Sequence, residues 1–92
     1  MKIYILCDME GVSGIRRMEQ VMRDSPADYA EGRQLMMQDI NAAIDGAILG
    51  GATEVVAADA HGGGGQVQIA MMDPRALYEM PAFGEMMPAL DE

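Results

Sequence analysis

The sequence is poor in the residues that mark several classes of protein. Cys7 is its one cysteine, so no disulfide can form within the chain, and no cysteine spacing suggests a zinc ribbon. Six basic residues against fifteen acidic ones give a formal net charge of -9, which repels nucleic-acid phosphates and anionic lipid surfaces. The apolar stretch at residues 3–7 is too short for a signal-peptide core or a membrane span. We therefore expect a cytoplasmic protein that binds neither nucleic acid nor membranes.

Aromatic residues are also scarce, at 4% of the chain, yet half of the residues are hydrophobic. Alanine, valine, isoleucine, leucine and 11 methionines supply this apolar mass, so we expect the chain to collapse around a core rather than to be disordered over most of its length. We interpret the pairs Met36-Met37 and Met71-Met72 as core or interface filler rather than as soft-metal ligands. A length of 92 residues suits one unit, residues 1–92, and is too short for two domains.

The hydrophobic pattern predicts a strand, a helix and a second strand, in that order. Residues 3–7 are apolar on both alternating faces, which is typical of a central parallel strand covered by helices on both sides. A helix is predicted to begin at Ser25 and Pro26 and to end at Gly50-Gly51, and residues 54–58 are predicted to form the second strand. The apolar stripe of the helix comprises Met36, Ile40, Ala43, Ile44, Ala47 and Ile48. This βαβ unit predicts an α/β fold, a partial three-layer α/β/α sandwich with a mainly parallel sheet.

The hydrophobic pattern is weaker outside this βαβ unit. Residues 16–24 are predicted to be a loop or short turn, residues 66–72 a short helix and residues 76–80 a third strand. Gly32 and Gly46 fall inside the long helix, where each costs about 1 kcal/mol relative to alanine. We expect close backbone packing at both positions.

Two acid-containing pairs follow the two main strands: Asp8 with Glu10, and Asp59 with His61. Residues i and i+2 of an extended chain point the same way, and parallel strands end at the same edge of a sheet, so we expect both pairs to share one crevice. Carboxylates together with an imidazole suit zinc, or manganese as a second choice, whereas magnesium and calcium favour oxygen ligands alone. The pattern indicates a metal site. The alternative for each pair alone is structural, with an acid that caps the next turn and a hydrogen-bonded histidine.

Other chemistry has less support in the sequence. The glycine run at residues 62–65 could cradle a phosphate, but no Lys-Ser/Thr follows it, so we interpret it as a flexible loop. We expect Cys7 to be a buried core thiol rather than a nucleophile. Arg16, Arg17 and Arg33 are expected to form surface salt bridges and receive no site role.

With these motifs in view, the chain resembles the N-terminal part of the zinc D-aminopeptidase family, the type encoded with dipeptide-transport genes. The similarity covers almost the whole chain. It is carried by Lys2-Ile3-Tyr4-Ile5 running into Asp8-Met9-Glu10-Gly11-Val12-Ser13-Gly14, by Tyr29-Ala30-Glu31-Gly32-Arg33, by Asn41-Ala42-Ala43-Ile44-Asp45-Gly46-Ala47, by Gly51-Ala52-Thr53-Glu54-Val55 and by Asp59-Ala60-His61-Gly62.

The resemblance implies a metallo-aminopeptidase that releases N-terminal D-amino acids from short peptides and works in peptide degradation as a ring-like homo-oligomer. It implies two zinc ions, with Asp8, Glu10 and His61 as metal ligands and Asp8 as the bridge between the ions. Asp59 is implied to orient His61 rather than to bind metal. The ions would polarise the peptide carbonyl and activate a water molecule.

Members of the family continue past the position of Glu92, and their continuation carries a further metal-binding histidine, a catalytic histidine and another metal-binding carboxylate. No catalytic residue and no binding site for an organic cofactor are therefore assigned within this chain. We expect residues 1–92 to be a truncated N-terminal portion of such a catalytic domain. The alternative is a non-catalytic α/β module that binds metal or mediates oligomerisation.

Overall fold

The computed structural model of the chain describes residues 1–59 and 67–79. Its regular elements are strand β1 (Lys2–Cys7), helix α1 (Pro26–Leu49), strand β2 (Glu54–Asp59) and strand β3 (Leu77–Glu79). Short 3₁₀ turns occupy Met9–Gly11, Met18–Val21 and Ile69–Met71. The predicted α/β class and the strand, helix, strand order are confirmed, as is a third strand at Leu77–Glu79.

The three described strands form a parallel sheet in the order β1-β2-β3. We predicted β1 as a central strand, but β2 is the central one of the three and β1 lies at the outside of this part of the sheet. The last five residues of β2 are buried, whereas most of β1 is only partly buried. Local apolarity reveals a strand, but its place in the sheet depends on which distant strands pair with it. The register aligns Cys7 with Asp59, so β1 and β2 end level with each other.

Helix α1 begins at Ser25-Pro26 and ends at Gly50-Gly51, as predicted. Ser25 occupies the N-cap position, although its side chain makes no capping hydrogen bond, and Pro26 is the first helical residue. At the other end, Gly51 has a φ of 101°, a left-handed conformation that side chains other than glycine rarely adopt. The helix is not apolar enough to span a membrane, and no other helix among the described residues is.

One face of α1 packs on β1 and β2 and forms the core. Met36, Ile40 and Ile44 of the predicted stripe are buried there, but Ala43 is exposed and Met37 takes part in the core instead. Met9, Met36 and Met37 are among the largest fully buried side chains, so Met36 and Met37 fill the core as predicted. Met72 is buried too, whereas Met71 is 53% exposed. Each fully buried side chain of this size contributes about 1.5–3 kcal/mol relative to an exposed one.

The 3₁₀ turn Met18–Val21 lies against α1 at Gly32. A Cβ atom at Gly32 would stand 2.0 Å from the backbone oxygen of Gln20, so the expected close packing is confirmed at this glycine. The expectation is wrong for Gly46, where a Cβ would meet nothing within 4 Å among the described residues. Gly46 lies on the exposed side of α1.

Candidate metal centre

Asp8 and Glu10 stand directly after the carboxyl end of β1. Asp8 has extended backbone angles, while Glu10 lies within the 3₁₀ turn Met9–Gly11. The premise that both residues belong to one extended segment is therefore wrong for Glu10. Both side chains are exposed, and Met9 between them is fully buried. The turn thus presents two carboxylates to solvent around one side chain that is anchored in the core.

The structural alternative for Asp8 was that it caps this turn. Its backbone oxygen does accept the N–H of Gly11 at 3.3 Å, but its side chain makes no capping hydrogen bond to the turn. The carboxylate of Asp8 is therefore not required to close the turn.

Asp59 ends β2 and differs from Asp8 and Glu10 because it is buried, with 1% of its surface exposed. Its Oδ2 accepts the backbone N–H of Val67 at 2.9 Å and the hydroxyl of Tyr78 at 3.1 Å. Its Oδ1 is also buried and has no hydrogen-bond partner within residues 1–59 and 67–79. Asp59 is thus held rigidly by one oxygen, while the other is left for a further donor.

His61 and the glycine run at residues 62–65 lie outside the described residues, so the predicted convergence of both pairs on one crevice stays a prediction. The structure supports this prediction only in that β1 and β2 end side by side, with Cys7 opposite Asp59. Residues 1–59 and 67–79 by themselves contain no group of three side chains that could hold a metal ion. From the predicted ligand set they supply the two carboxylates of Asp8 and Glu10.

Cys7 is a core residue, as the sequence predicted. Its thiol is buried, and its Sγ donates to the backbone oxygen of Ile5 at 3.6 Å. Burial raises the pKa of the Cys7 thiol to about 11, and the negative charge of Asp59 adds to the effect. A thiol of this kind stays protonated near neutral pH, which argues against a nucleophilic role.

A cleft of about 540 Å³ opens beside β1, between that strand and α1. Its floor is mainly apolar, and Asp8, Ser13 and Asp39 are its polar lining residues. The Asp39 carboxylate accepts the backbone N–H of Ser13 at 2.7 Å, which ties the segment after β1 to the helix. Asp39 lies off the apolar stripe of α1, so no role was predicted for it.

Two further residues of this region were also missed. Gln20 is buried, and its Oε1 accepts the backbone N–H groups of Arg16 and Arg17 at 2.7 and 3.0 Å, while its Nε2 donates to Glu31 at 2.6 Å. Tyr78 binds Asp59 from β3. The Gln20 bonds from Arg16 and Arg17 are local, but its contact with Glu31 and the contact of Tyr78 with Asp59 span 11 and 19 residues and have no local signal. The surface role expected of Arg17 is confirmed by its ion pairs, which lie with Asp28 at 2.8 Å and with Glu31 at 3.4 Å.

Comparison with known proteins places these features in a family. The sequence profile described as D-aminopeptidase, peptidase family M55, matches residues 1–91. A D-aminopeptidase of Bacillus subtilis (strain 168) is 32% identical over 76 residues, which cover 83% of this chain and 27% of that protein. The solved structure of the Zn-dependent D-aminopeptidase DppA from Bacillus subtilis, a self-compartmentalizing protease, superposes with a TM-score of 0.78 at 30% identity. That match covers 89% of this chain and 29% of the solved one. The chain belongs to the D-aminopeptidase family.

Proposed function

We propose that this chain provides the N-terminal part of a zinc-dependent aminopeptidase that hydrolyses N-terminal D-amino acids from short peptides. The observation that carries the proposal is the pair of exposed carboxylates, Asp8 and Glu10, at the carboxyl end of a parallel strand in a chain of this family. Open α/β sheets bind their ligands at this end. The zinc dependence of the solved relative from Bacillus subtilis supports the choice of metal.

Asp8, Glu10 and His61 are the residues that would hold the metal, with two zinc ions proposed for the complete site. The described donors fit zinc in their chemistry, because carboxylate oxygens are common zinc ligands and neither carboxylate is buried. When bound, zinc supplies a Lewis acid and a water molecule of lowered pKa for peptide hydrolysis. The role of this part of the chain is to hold the ions, and we assign no catalytic residue to it.

Asp59 is proposed to orient His61 rather than to bind metal. Its Oδ2 is occupied by Val67 and Tyr78, and its Oδ1 is a buried acceptor that needs a donor. Zinc-bound histidines commonly donate their second ring N–H to a carboxylate, which holds the imidazole in one orientation and raises its basicity. A buried Oδ1 with no partner among the described residues therefore suits a carboxylate that supports a metal-binding histidine two residues later.

We further propose that the protein acts in the cytoplasm, in the degradation of short peptides that contain D-amino acids, as a homo-oligomer. The self-compartmentalizing assembly named for the solved relative supports the oligomer. A non-catalytic metal-binding or oligomerising module is the second candidate. One observation favours it: Leu6 and Leu77 lie on the sheet face away from α1 and are 51% and 59% exposed, as an interface would require.

The zinc content of the purified chain tests the metal site. We expect near-stoichiometric zinc after loading and dialysis, measured by inductively coupled plasma mass spectrometry, and its loss in Asp8→Ala and His61→Ala. Asp24→Ala is the matched control, because Asp24 is an exposed carboxylate outside the helices and strands. Equal zinc retention in Asp8→Ala and Asp24→Ala would contradict the ligand assignment.

Substrate preference needs a separate assay. Metal-dependent release of D-alanine from a D-alanine dipeptide, with no release from the L-dipeptide, supports the aminopeptidase. Zinc binding by the chain without any such release, both alone and when joined to the rest of a family member, favours the non-catalytic module.

A further inference from the structure

The hydroxyl of Tyr78 contacts the buried carboxylate that ends β2. The register of β2 and β3 places Tyr78 opposite Ala57, two residues before Asp59, so Tyr78 and Asp59 lie on the same face of the sheet. The Tyr78 hydroxyl donates to Asp59 Oδ2 at 3.1 Å, and the Val67 backbone N–H donates to the same oxygen at 2.9 Å. Three points that are distant along the chain meet at this one oxygen.

Two donors on one carboxylate oxygen fix the rotation of the carboxyl group. The group is 1% exposed, so solvent cannot replace either donor, and loss of one leaves the carboxylate less constrained. With Oδ2 held on both sides, Oδ1 has a set direction and lacks a partner among the residues that the structure describes. The Tyr78 hydroxyl therefore helps to set the direction in which Asp59 Oδ1 points, in addition to stabilising β3.

The same contacts join the two ends of one segment. Asp59 is the last described residue before residues 60–66, and Val67 is the first described residue after them. The hydrogen bond from the Val67 N–H to Asp59 joins the two described residues on either side of residues 60–66. The residues at the two ends of this segment, Asp59 and Val67, are held by the Asp59 side chain and by Tyr78.

We propose that Tyr78 is a positioning residue for the metal centre: through Asp59 it fixes the chain at both ends of the segment that carries His61. The inference rests on the proposed function for its metal-binding consequence. Tyr78 does not bind the ion. Its hydroxyl holds Asp59, and Asp59 holds the N–H of Val67 and presents Oδ1.

Tyr4 provides a matched control for the loss of a phenolic hydroxyl. Its hydroxyl also donates to a carboxylate, that of Glu79 in β3. The register places Tyr4 opposite Val56, which alternates with Ala57, so Tyr4 lies on the face of the sheet away from Asp59. Tyr4→Phe and Tyr78→Phe remove the same group from the same sheet, on opposite faces.

The test compares the wild-type chain, Tyr78→Phe and Tyr4→Phe by zinc titration against a chromogenic chelator, with thermal melts of the metal-free proteins. We expect Tyr78→Phe to weaken zinc binding about tenfold, the lower end for residues that support a metal ligand from outside. Tyr4→Phe should leave zinc affinity within about twofold of wild type, because Tyr4 lies on the opposite face of the sheet from Asp59. If the wild-type chain binds zinc, equal zinc affinities of the two variants overturn the proposal, whatever their melting temperatures.

Amide hydrogen exchange separates this inference from the metal assignment. If the wild-type chain binds no zinc, the proposed metal function fails, and the exchange rate of the Val67 amide decides the role of Tyr78. Faster exchange at Val67 in Tyr78→Phe, with the amides of Val55 and Val56 unchanged, supports the positioning role because the effect is then local. An unchanged Val67 amide, or equal acceleration at all three, overturns it.

Discussion

Gly32 is a point of close packing between α1 and the 3₁₀ turn Met18–Val21, and an added methyl group there should be costly. In Gly32→Ala the new Cβ would lie 2.0 Å from the backbone oxygen of Gln20 and 3.1 Å from Cε of Met9. The methionine end can move, but the Gln20 oxygen belongs to the backbone. The two elements must separate by about 1 Å before the contact reaches 3.0 Å, below which real Cβ atoms are essentially never found.

The expected free-energy change combines a gain and a loss. Alanine improves the helix propensity of this position by about 1 kcal/mol. Overpacking of a well-packed site costs about 1–3 kcal/mol, and the upper end applies because the obstacle is backbone that Gln20 holds through four hydrogen bonds of its side chain. We expect Gly32→Ala to lower the free energy of unfolding by about 2 kcal/mol, which corresponds to a melting temperature lower by about 8–16 °C.

Gly46→Ala is the control, since it is the same substitution in the same helix at a site with no atom within 4 Å among the described residues. It should raise the free energy of unfolding by about 0.5–1 kcal/mol through helix propensity alone. Urea unfolding followed by circular dichroism measures both variants against the wild-type chain. If Gly32→Ala is as stable as Gly46→Ala, the close approach of Gln20 to α1 does not exist in solution.

Three further predictions concern single side chains. Gln20→Leu keeps the size of a buried residue but leaves the backbone N–H groups of Arg16 and Arg17 without their acceptor, so we expect a loss of about 1–3 kcal/mol in urea unfolding, and an unchanged midpoint would count against this network. Cys7 is 4% exposed, so a thiol reagent should modify it slowly in the native chain and at once in urea, and rapid native modification would show that β1 is more open than described. Burial and, to a lesser extent, the hydrogen bond to Glu79 raise the pKa of Tyr4 from 10.0 to about 12. The stabilising contribution of the protonated Tyr4 should therefore be present below pH 10 and disappear as the pH rises through 12. Tyr4→Phe should remove that part of the alkaline loss in thermal melts, and identical alkaline profiles of the two proteins would refute the assignment.

The sequence predicted those elements whose signals are local. Residues 3–7 and 54–58 are apolar runs bounded by polar or glycine-rich segments, and they appear as Lys2–Cys7 and Glu54–Asp59. The start of α1 at Pro26 follows from the fixed φ of proline, and its end follows from the left-handed conformation open to Gly51. In each case the chain within a few residues decides the conformation.

The parts that were not predicted depend on distant contacts. A loop or short turn was predicted at residues 16–24, but the hydrogen bond from Gln20 to Glu31, which ties the 3₁₀ turn Met18–Val21 to the helix, spans 11 residues and was not. The outer position of β1 among the three described strands follows from strand pairing, which no run of residues reveals. In the candidate site, acid pairs at strand ends could be identified from the sequence, but the support of Asp59 by Tyr78 spans 19 residues and could not.

The two strand ends hold their acidic residues in opposite ways, and this difference indicates a division of roles at the site. After β1, the fully buried Met9 anchors the turn, and the carboxylates on either side of it reach solvent. After β2, the carboxylate itself is buried and held by its neighbours. An exposed carboxylate can give its oxygens to a metal ion, whereas a buried one that already accepts two hydrogen bonds is suited to orient another group. Because Met9 also lies against the helix at Gly32, the packing that permits α1 to approach is the same packing that sets the position of the turn bearing Asp8 and Glu10.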